Sequence, residues 1–137
     1  NGWHSKPTLI AQVTDSQGNV LLDNTPKPQL VLDPWATAAL TDTLRGVIER
    51  GTARNANIGR PAAGKTGTTD SERDTWFVGY VPQLSVAVWV GNDDYSRLPR
   101  GATGGSYAAP VWRSFMVQAL RNEPVENFRR PSEFIRP

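Results

Sequence analysis

The sequence predicts an α+β fold, an antiparallel sheet (a hairpin plus a three-strand meander) packed with two helices. Three observations carry that prediction. Apolar residues recur at helical spacing over 34–50 and again over 107–121, with a proline in the first turn of each stretch. Between them, short runs rich in β-branched and aromatic residues are joined by links of a few polar residues, and such links favour antiparallel neighbours. Near the start, a polar loop containing glycine separates two further apolar runs, which is a hairpin pattern.

In chain order, Leu9–Thr14 and Val20–Leu22 flank Asp15-Ser16-Gln17-Gly18-Asn19. This loop reads as a turn, because too few carboxylates cluster there for a calcium cage. Lys27–Gln29 is a connector marked by proline. Asp33 can cap the free N–H groups of a helix, and Pro34 is pre-shaped for its first position. Leu40, Leu44, Val47 and Ile48 form one stripe, and Gly51 suits the position just past the helix end. Strands are predicted over 62–69, 75–81 and 84–91. Trp76, Val78 and Tyr80 alternate with Phe77, Gly79 and Val81, so the middle strand is apolar on both faces and should be covered on both.

Residues 92–105 read as a loop. The second helix should follow, with Ser106 as its cap and Pro110 in its first turn. Val111, Phe115 and Ala119 make one row on it, and Trp112, Met116 and Leu120 the next, both read as core. Two helices cover one face of a sheet. The other face then has no partner in this chain, which predicts an exposed apolar patch or self-association of two copies.

With 137 residues, the chain has the length of one small domain. Its net charge of +2 rests on 12 Arg and 3 Lys that are too dispersed to make a nucleic-acid surface. Arg121, Arg129, Arg130 and Arg136 fall in a stretch that reads as a solvated tail, so the expected division is a domain over 1–121 and a Pro/Arg-bearing extension over 122–137. One histidine and no cysteine give no basis for a zinc site, and no cofactor is expected. No apolar run approaches the ~20 residues that cross a bilayer, and no signal peptide opens the chain.

Chemistry concentrates at Gly59–Thr66, G-R-P-A-A-G-K-T, which fits two motifs. As G-x-x-x-x-G-K-[ST] it would be a phosphate-binding loop, which needs a buried strand before it and a helix opening at the lysine. Arg54–Ile58 has one large apolar residue and makes a poor central strand. Thr66–Thr69 is glycine and threonine, a poor helix start and a fair strand. The other motif is the triplet Lys65-Thr66-Gly67, followed by Thr68 and Thr69. In a strand, the hydroxyls of Thr66 and Thr68 share one face, Gly67 lets a ligand approach the backbone, and Lys65 offers three donors. Such a ledge suits a carboxylate. Taken alone, the triplet also fits a plain surface strand of small polar residues.

The surrounding text is more specific. Leu44–Ala53 (L-R-G-V-I-E-R-G-T-A), Ala63–Thr69 (A-G-K-T-G-T-T) and Asp74–Tyr80 (D-T-W-F-V-G-Y) follow in order. Val88–Asp93 (V-W-V-G-N-D) and Gly104–Trp112 (G-G-S-Y-A-A-P-V-W) come after them. From about Asn1 to Leu120, this succession resembles the C-terminal part of the transpeptidase domain of bifunctional (class A) penicillin-binding proteins, whose motifs are S-x-x-K, S-D-N and K-T-G. The resemblance implies a partial β-lactamase/transpeptidase-like fold. The chain departs from the family pattern in one respect. None of its eight serines has a lysine three residues on or an asparagine two residues on, so only the K-T-G element is present.

The resemblance further implies a serine DD-transpeptidase that cross-links peptidoglycan stem peptides ending in D-Ala-D-Ala and is blocked by β-lactam antibiotics. Lys65 would support proton traffic and attract the terminal carboxylate. Thr66 and Thr68 would bind it, the Thr68 N–H would serve the oxyanion hole, and Gly67 and Thr69 would border the ligand. The preceding part of the transpeptidase domain would be a partner, and export signal and membrane anchor would lie upstream of Asn1, on the outer face of the plasma membrane. These residues alone would be inactive, and a companion glycosyltransferase is implied. A β-lactam sensor domain is the alternative. Trp76 and Phe77 read as strand supports, Tyr107 and Gly104-Gly105 as possible cleft borders or structural residues, and Asp93-Asp94 and His4 as surface groups.

Overall fold

The computed structural model describes residues 2–137. Four short strands come first: β1 (Trp3–His4), β2 (Gln12–Thr14), β3 (Val20–Asp23) and β4 (Gln29–Leu30). β1 pairs with β4 and β2 with β3, both antiparallel, as two ribbons separate from the main sheet. All their residues are exposed. The hairpin is held at its turn. The Asp15 carboxylate accepts the Asn19 side-chain amide at 2.8 Å and the N–H groups of Asn19 and Gln17 at 2.8 and 2.9 Å, while Gly18 takes φ +86°. These donors, led by Asn19, hold Asp15 below the ordinary carboxylate range.

The first helix, α1 (Pro34–Glu49), begins as predicted, with Asp33 Oδ1 accepting the Ala36 N–H at 2.9 Å and proline next to it. Its buried side differs in detail. Ala38 and Ile48 are buried and Val47 packs partly against the core, but Leu40 is exposed. Gly51 does not adopt the left-handed conformation expected past the helix end. It is glycine for space, since a Cβ there would stand 2.8 Å from Val47 Cα.

The meander is β5 (Ala63–Thr68), β6 (Asp74–Tyr80) and β7 (Ser85–Gly91), antiparallel in that order. The segment before it is a 3₁₀ turn over Arg54–Ala56, and an extended strand runs through Lys65. No helix opens at the lysine, so the phosphate-loop reading fails on its backbone.

A second helix, α2 (Ala109–Ala119), covers one face of this sheet, preceded by a π-helical turn over Gly104–Ala108. Thr103, and not Ser106, is the cap. Its Oγ1 accepts the Ser106 N–H at 3.1 Å, and Ser106 Oγ accepts the Thr103 N–H at 3.0 Å.

The core lies between this helix and β6. Phe77 and Trp112 meet edge to face at 5.2 Å between ring centres, a geometry worth about 0.5–1.5 kcal/mol beyond burial. Gly79 admits the indole, because a Cβ there would come within 2.9 Å of it. Trp112 Nε1 then donates to the Gly79 carbonyl at 3.3 Å. Met116 and Leu120 complete the buried row. The neighbouring row does not join it, since Val111 and Phe115 are about half exposed.

The other face of β6 is open. Trp76 and Val78 are 44% and 46% exposed, and Trp89, directly across from Trp76 on β7, is 44% exposed. The expected apolar patch is there, and β6 lacks the cover on both sides that its composition suggested. Among the described residues, this face meets a partner at its end. The Tyr80 hydroxyl bonds Thr41 of α1 at 3.0 Å, and its ring meets Phe128 at 5.5 Å. Residues beyond α2 are mostly exposed, with Arg60 donating to the Leu120, Glu123 and Pro124 carbonyls and Arg136 lying over Trp35.

Candidate active site

Among the described residues, β5 is an edge strand, paired with β6 alone. Register decides how it presents its side chains. Lys65 lies opposite Val78 and Gly67 opposite Trp76, on the open face. Thr66 lies opposite Phe77 and Thr68 opposite Thr75, on the face toward α2. The lysine and the two threonines therefore leave the strand on opposite faces. They meet at its edge because the lysine stem bends over. Lys65 Nζ donates to the Thr66 carbonyl at 2.9 Å and reaches Thr66 Oγ1 at 3.5 Å. In an antiparallel pair, alternate residues turn both backbone groups away from the partner. The lysine's grip on the Thr66 carbonyl marks Thr66, and Thr68 two residues on, as those facing outward.

Both threonine hydroxyls have fixed neighbours. Thr66 Oγ1 lies 2.9 Å from the Thr52 hydroxyl, just past the end of α1. Thr68 Oγ1 accepts the Gly104 N–H at 3.1 Å, so its own proton remains free to donate outward. The π-helical turn is pressed against the strand to make that bond. A Cβ on Gly104 would stand 2.3 Å from the Trp76 carbonyl oxygen and 2.7 Å from that of Gly67, and one on Gly105 would stand 2.1 Å from the Thr52 carbonyl oxygen. Asn55 Nδ2 secures the turn by donating to the Gly105 carbonyl at 2.9 Å.

Thr69 lies beyond the strand end and faces inward to the turn. Its Oγ1 accepts the Asp74 N–H at 2.9 Å, and its own N–H donates to the Asp74 carbonyl at 3.0 Å. Asp74 Oδ1 in turn accepts Trp89 Nε1 at 2.9 Å. The following loop is strapped to this turn, with Glu72 accepting the N–H groups of Leu98 and Gly101 and Arg73 bonding the Tyr95 carbonyl.

The structure thus brings Lys65, Thr66, Gly67 and Thr68 together along one free edge, with the Gly104-Gly105 turn beside them. Tyr107 is half-buried in that turn, and Phe77 is core, whereas Trp76 is not a buried support. His4 pairs with Gln29 in an exposed ribbon, and Asp94 accepts the Ser96 N–H in the exposed loop after β7. Sequence reasoning missed Thr52 and Asn55. Thr52 lies in the Leu44–Ala53 block that carries the resemblance, but nothing local gives either residue a role, since their contacts span 14 and 50 residues. Among the described residues there is no cluster of metal ligands, and no helix is long and apolar enough to cross a membrane.

The family model described as penicillin binding protein transpeptidase domain matches residues 1–117. The chain belongs to the penicillin-binding protein transpeptidase family. Penicillin-binding protein 1A of Aquifex aeolicus (strain VF5) is 41% identical over 135 residues, covering 98% of this chain and 19% of that protein. Penicillin-binding protein 1A of Clostridium tetani is 37% identical over 137 residues, covering 96% and 17%. The chain therefore spans less than a fifth of the length of these curated relatives. The crystal structure of penicillin-binding protein 1A from Haemophilus influenzae shares the fold, with a TM-score of 0.70 at 24% identity over 95% of this chain and 26% of that one. The expected α+β, partial transpeptidase-like architecture is thus the observed one. The K-T-G triplet of this chain is the edge-strand segment Lys65–Gly67.

Proposed function

We propose that this chain supplies the carboxylate-binding strand and one arm of the oxyanion hole to a serine DD-transpeptidase. That enzyme cross-links peptidoglycan stem peptides ending in D-Ala-D-Ala and is acylated by β-lactams. The observation that carries the reading is the free edge of β5, where an ammonium, two hydroxyls and outward main-chain groups converge with no carboxylate of the described residues bonded to them. A terminal carboxylate docked there meets Lys65 Nζ and the hydroxyl protons of Thr66 and Thr68, each charge-assisted bond worth about 1.5–3 kcal/mol. The Thr68 N–H lies where it can serve the oxygen that becomes negative during acyl transfer, and losing such a donor typically costs about 10²–10³ in rate. Gly67 lies on the opposite face from these hydroxyls, where a Cβ would stand 3.2 Å from Trp76 Cβ.

The nucleophilic serine and its activating lysine come from parts of the domain outside these residues, because no serine here has the required spacing. The open sheet face beside Trp76 and Trp89 is where that remaining part packs. The complete enzyme works at the outer face of the plasma membrane and carries a glycosyltransferase as well. Thr69 serves the site as a turn residue, its hydroxyl accepting the Asp74 N–H at 2.9 Å and turning its proton toward Asp74 oxygens at 3.4 Å.

Labelling with a fluorescent penicillin tests this. The expected outcome is no covalent product from the 137-residue chain, labelling of the full-length protein, and a rate of labelling reduced at least tenfold by Lys65→Ala, on the scale of a lost charge-assisted bond. A full-length protein that takes no label, or a Lys65→Ala variant that labels at the parent rate, refutes the assignment.

A further inference from the structure

We infer that Thr52 is a positioning residue for this site, its hydroxyl donating to Thr66 Oγ1 so that the Thr66 proton is left for an anion on the edge of β5. The inference rests on the transpeptidase reading above and adds a residue outside the K-T-G triplet.

The two hydroxyl oxygens are 2.9 Å apart, and either can be the donor. A bound carboxylate fixes the direction. It can only accept, so Thr66 must give it a proton, and the Thr66 oxygen is then open to receive one from Thr52. Lys65 Nζ, at 3.5 Å, also presents protons to Thr66 Oγ1 and biases it the same way. The result is a chain running from Thr52 through Thr66 to the carboxylate, in which each bond polarises the next. Thr68 has the same arrangement with a different donor, since the Gly104 N–H can only donate and holds Thr68 Oγ1 as its acceptor.

Thr52 is also not free to turn away. Gly51 before it is packed on Val47, the Ala53 N–H after it donates to the Val47 carbonyl at 3.0 Å, and Gly105 presses on its own carbonyl oxygen. Its backbone is thus pinned between the end of α1 and the π-helical turn. Among the described residues, its hydroxyl bonds no other group.

The test uses the full-length transpeptidase containing these residues, acylated by benzylpenicillin or by its methyl ester, with the half-saturating concentration resolved from the limiting rate. Thr52→Val should raise the half-saturating concentration of penicillin about fivefold, the scale of one net hydrogen bond, with little change in limiting rate. The ester, lacking the anion, should be insensitive. Thr52→Ser should behave as the parent, and Thr52→Val should have no further effect in a Thr66→Val background. Should Thr52→Val fail to fold, Thr52→Ala is expected to show the same loss, and Thr52→Ser still to match the parent.

Unchanged half-saturation in Thr52→Val or Thr52→Ala overturns the inference. So does an equal loss with the ester, a loss in Thr52→Ser at an unchanged melting temperature, or additivity with Thr66→Val. These outcomes leave the transpeptidase reading standing. A parent protein that takes no penicillin overturns that reading, and the Thr52 inference with it.

Discussion

The two faces of the central strand carry similar residues and meet opposite fates. On one, Thr75, Phe77 and Gly79 are sealed beneath α2, and Trp112 and Met116 have no exposed surface. On the other, Trp76 and Val78 lie beside Trp89 with nearly half their surface in water. Composition does not separate the two. What differs is whether the chain supplies something to lay on top. Fully burying a large apolar side chain is worth about 1.5–3 kcal/mol, and the open face forgoes that gain at several positions at once. A soluble surface rarely leaves such a patch unless it is an interaction site.

The largest expected effect tests the sealed face. Trp112→Ala should destabilise the chain by about 3–5 kcal/mol in urea unfolding, because it empties the core at Gly79 and removes the ring against Phe77. A loss below 1 kcal/mol would mean that α2 is not what closes the sheet. Next comes Gly104→Ala, where the added Cβ must displace the turn from the β5–β6 backbone. A cost of about 1–3 kcal/mol is expected, together with weaker penicillin labelling of the full-length protein through Thr68. Unaltered labelling would uncouple the turn from the site. On the open face, Trp76→Ala should change the stability of the isolated chain by no more than about 0.5 kcal/mol, yet cost several times that in the full-length protein. Equal effects in both settings would show that nothing covers this face.

The smallest effect belongs to the first hairpin, which has no covered face at all. Its turn depends on the Asp15 carboxylate, held below the ordinary value by Asn19 and the backbone. Any stability it lends is therefore fully present above the unfolded carboxylate pKa and lost as pH falls through the lower, folded one. The Asn19 amide signal in NMR should follow that titration, and Asp15→Asn should abolish it. An Asp15 titrating at or above the ordinary aspartate value would contradict the turn geometry.

Much of this was legible in the sequence, and the exceptions share a cause. Asp33-Pro34 announced its helix because capping is a local matter, and the meander followed from short polar links between apolar runs. Lys65–Thr68 was readable as a strand because glycine and threonine oppose helix. Leu40, Val111 and Phe115 read as core from the sequence, because spacing shows that residues share a stripe, not which stripe finds a partner. Ser106 reads as the cap in place of Thr103, since the π-helical turn moves the helix start in a way no periodicity records. The lysine and threonines were read as one ledge, though they leave the strand on opposite faces, and only the bend of a four-carbon stem reunites them. Thr52 was invisible because its role exists only once β5 lies beside the end of α1.

That alternation has a consequence for the pairing of β5. A slip of the whole strand by one residue against β6 would exchange the two sets, turning the ammonium inward under Gly104 and both hydroxyls out beside Trp76. Overall polarity would scarcely alter, yet the anion-binding edge would be gone. Keeping the same residue types is therefore not enough to keep the site; their parity along the strand must be kept as well.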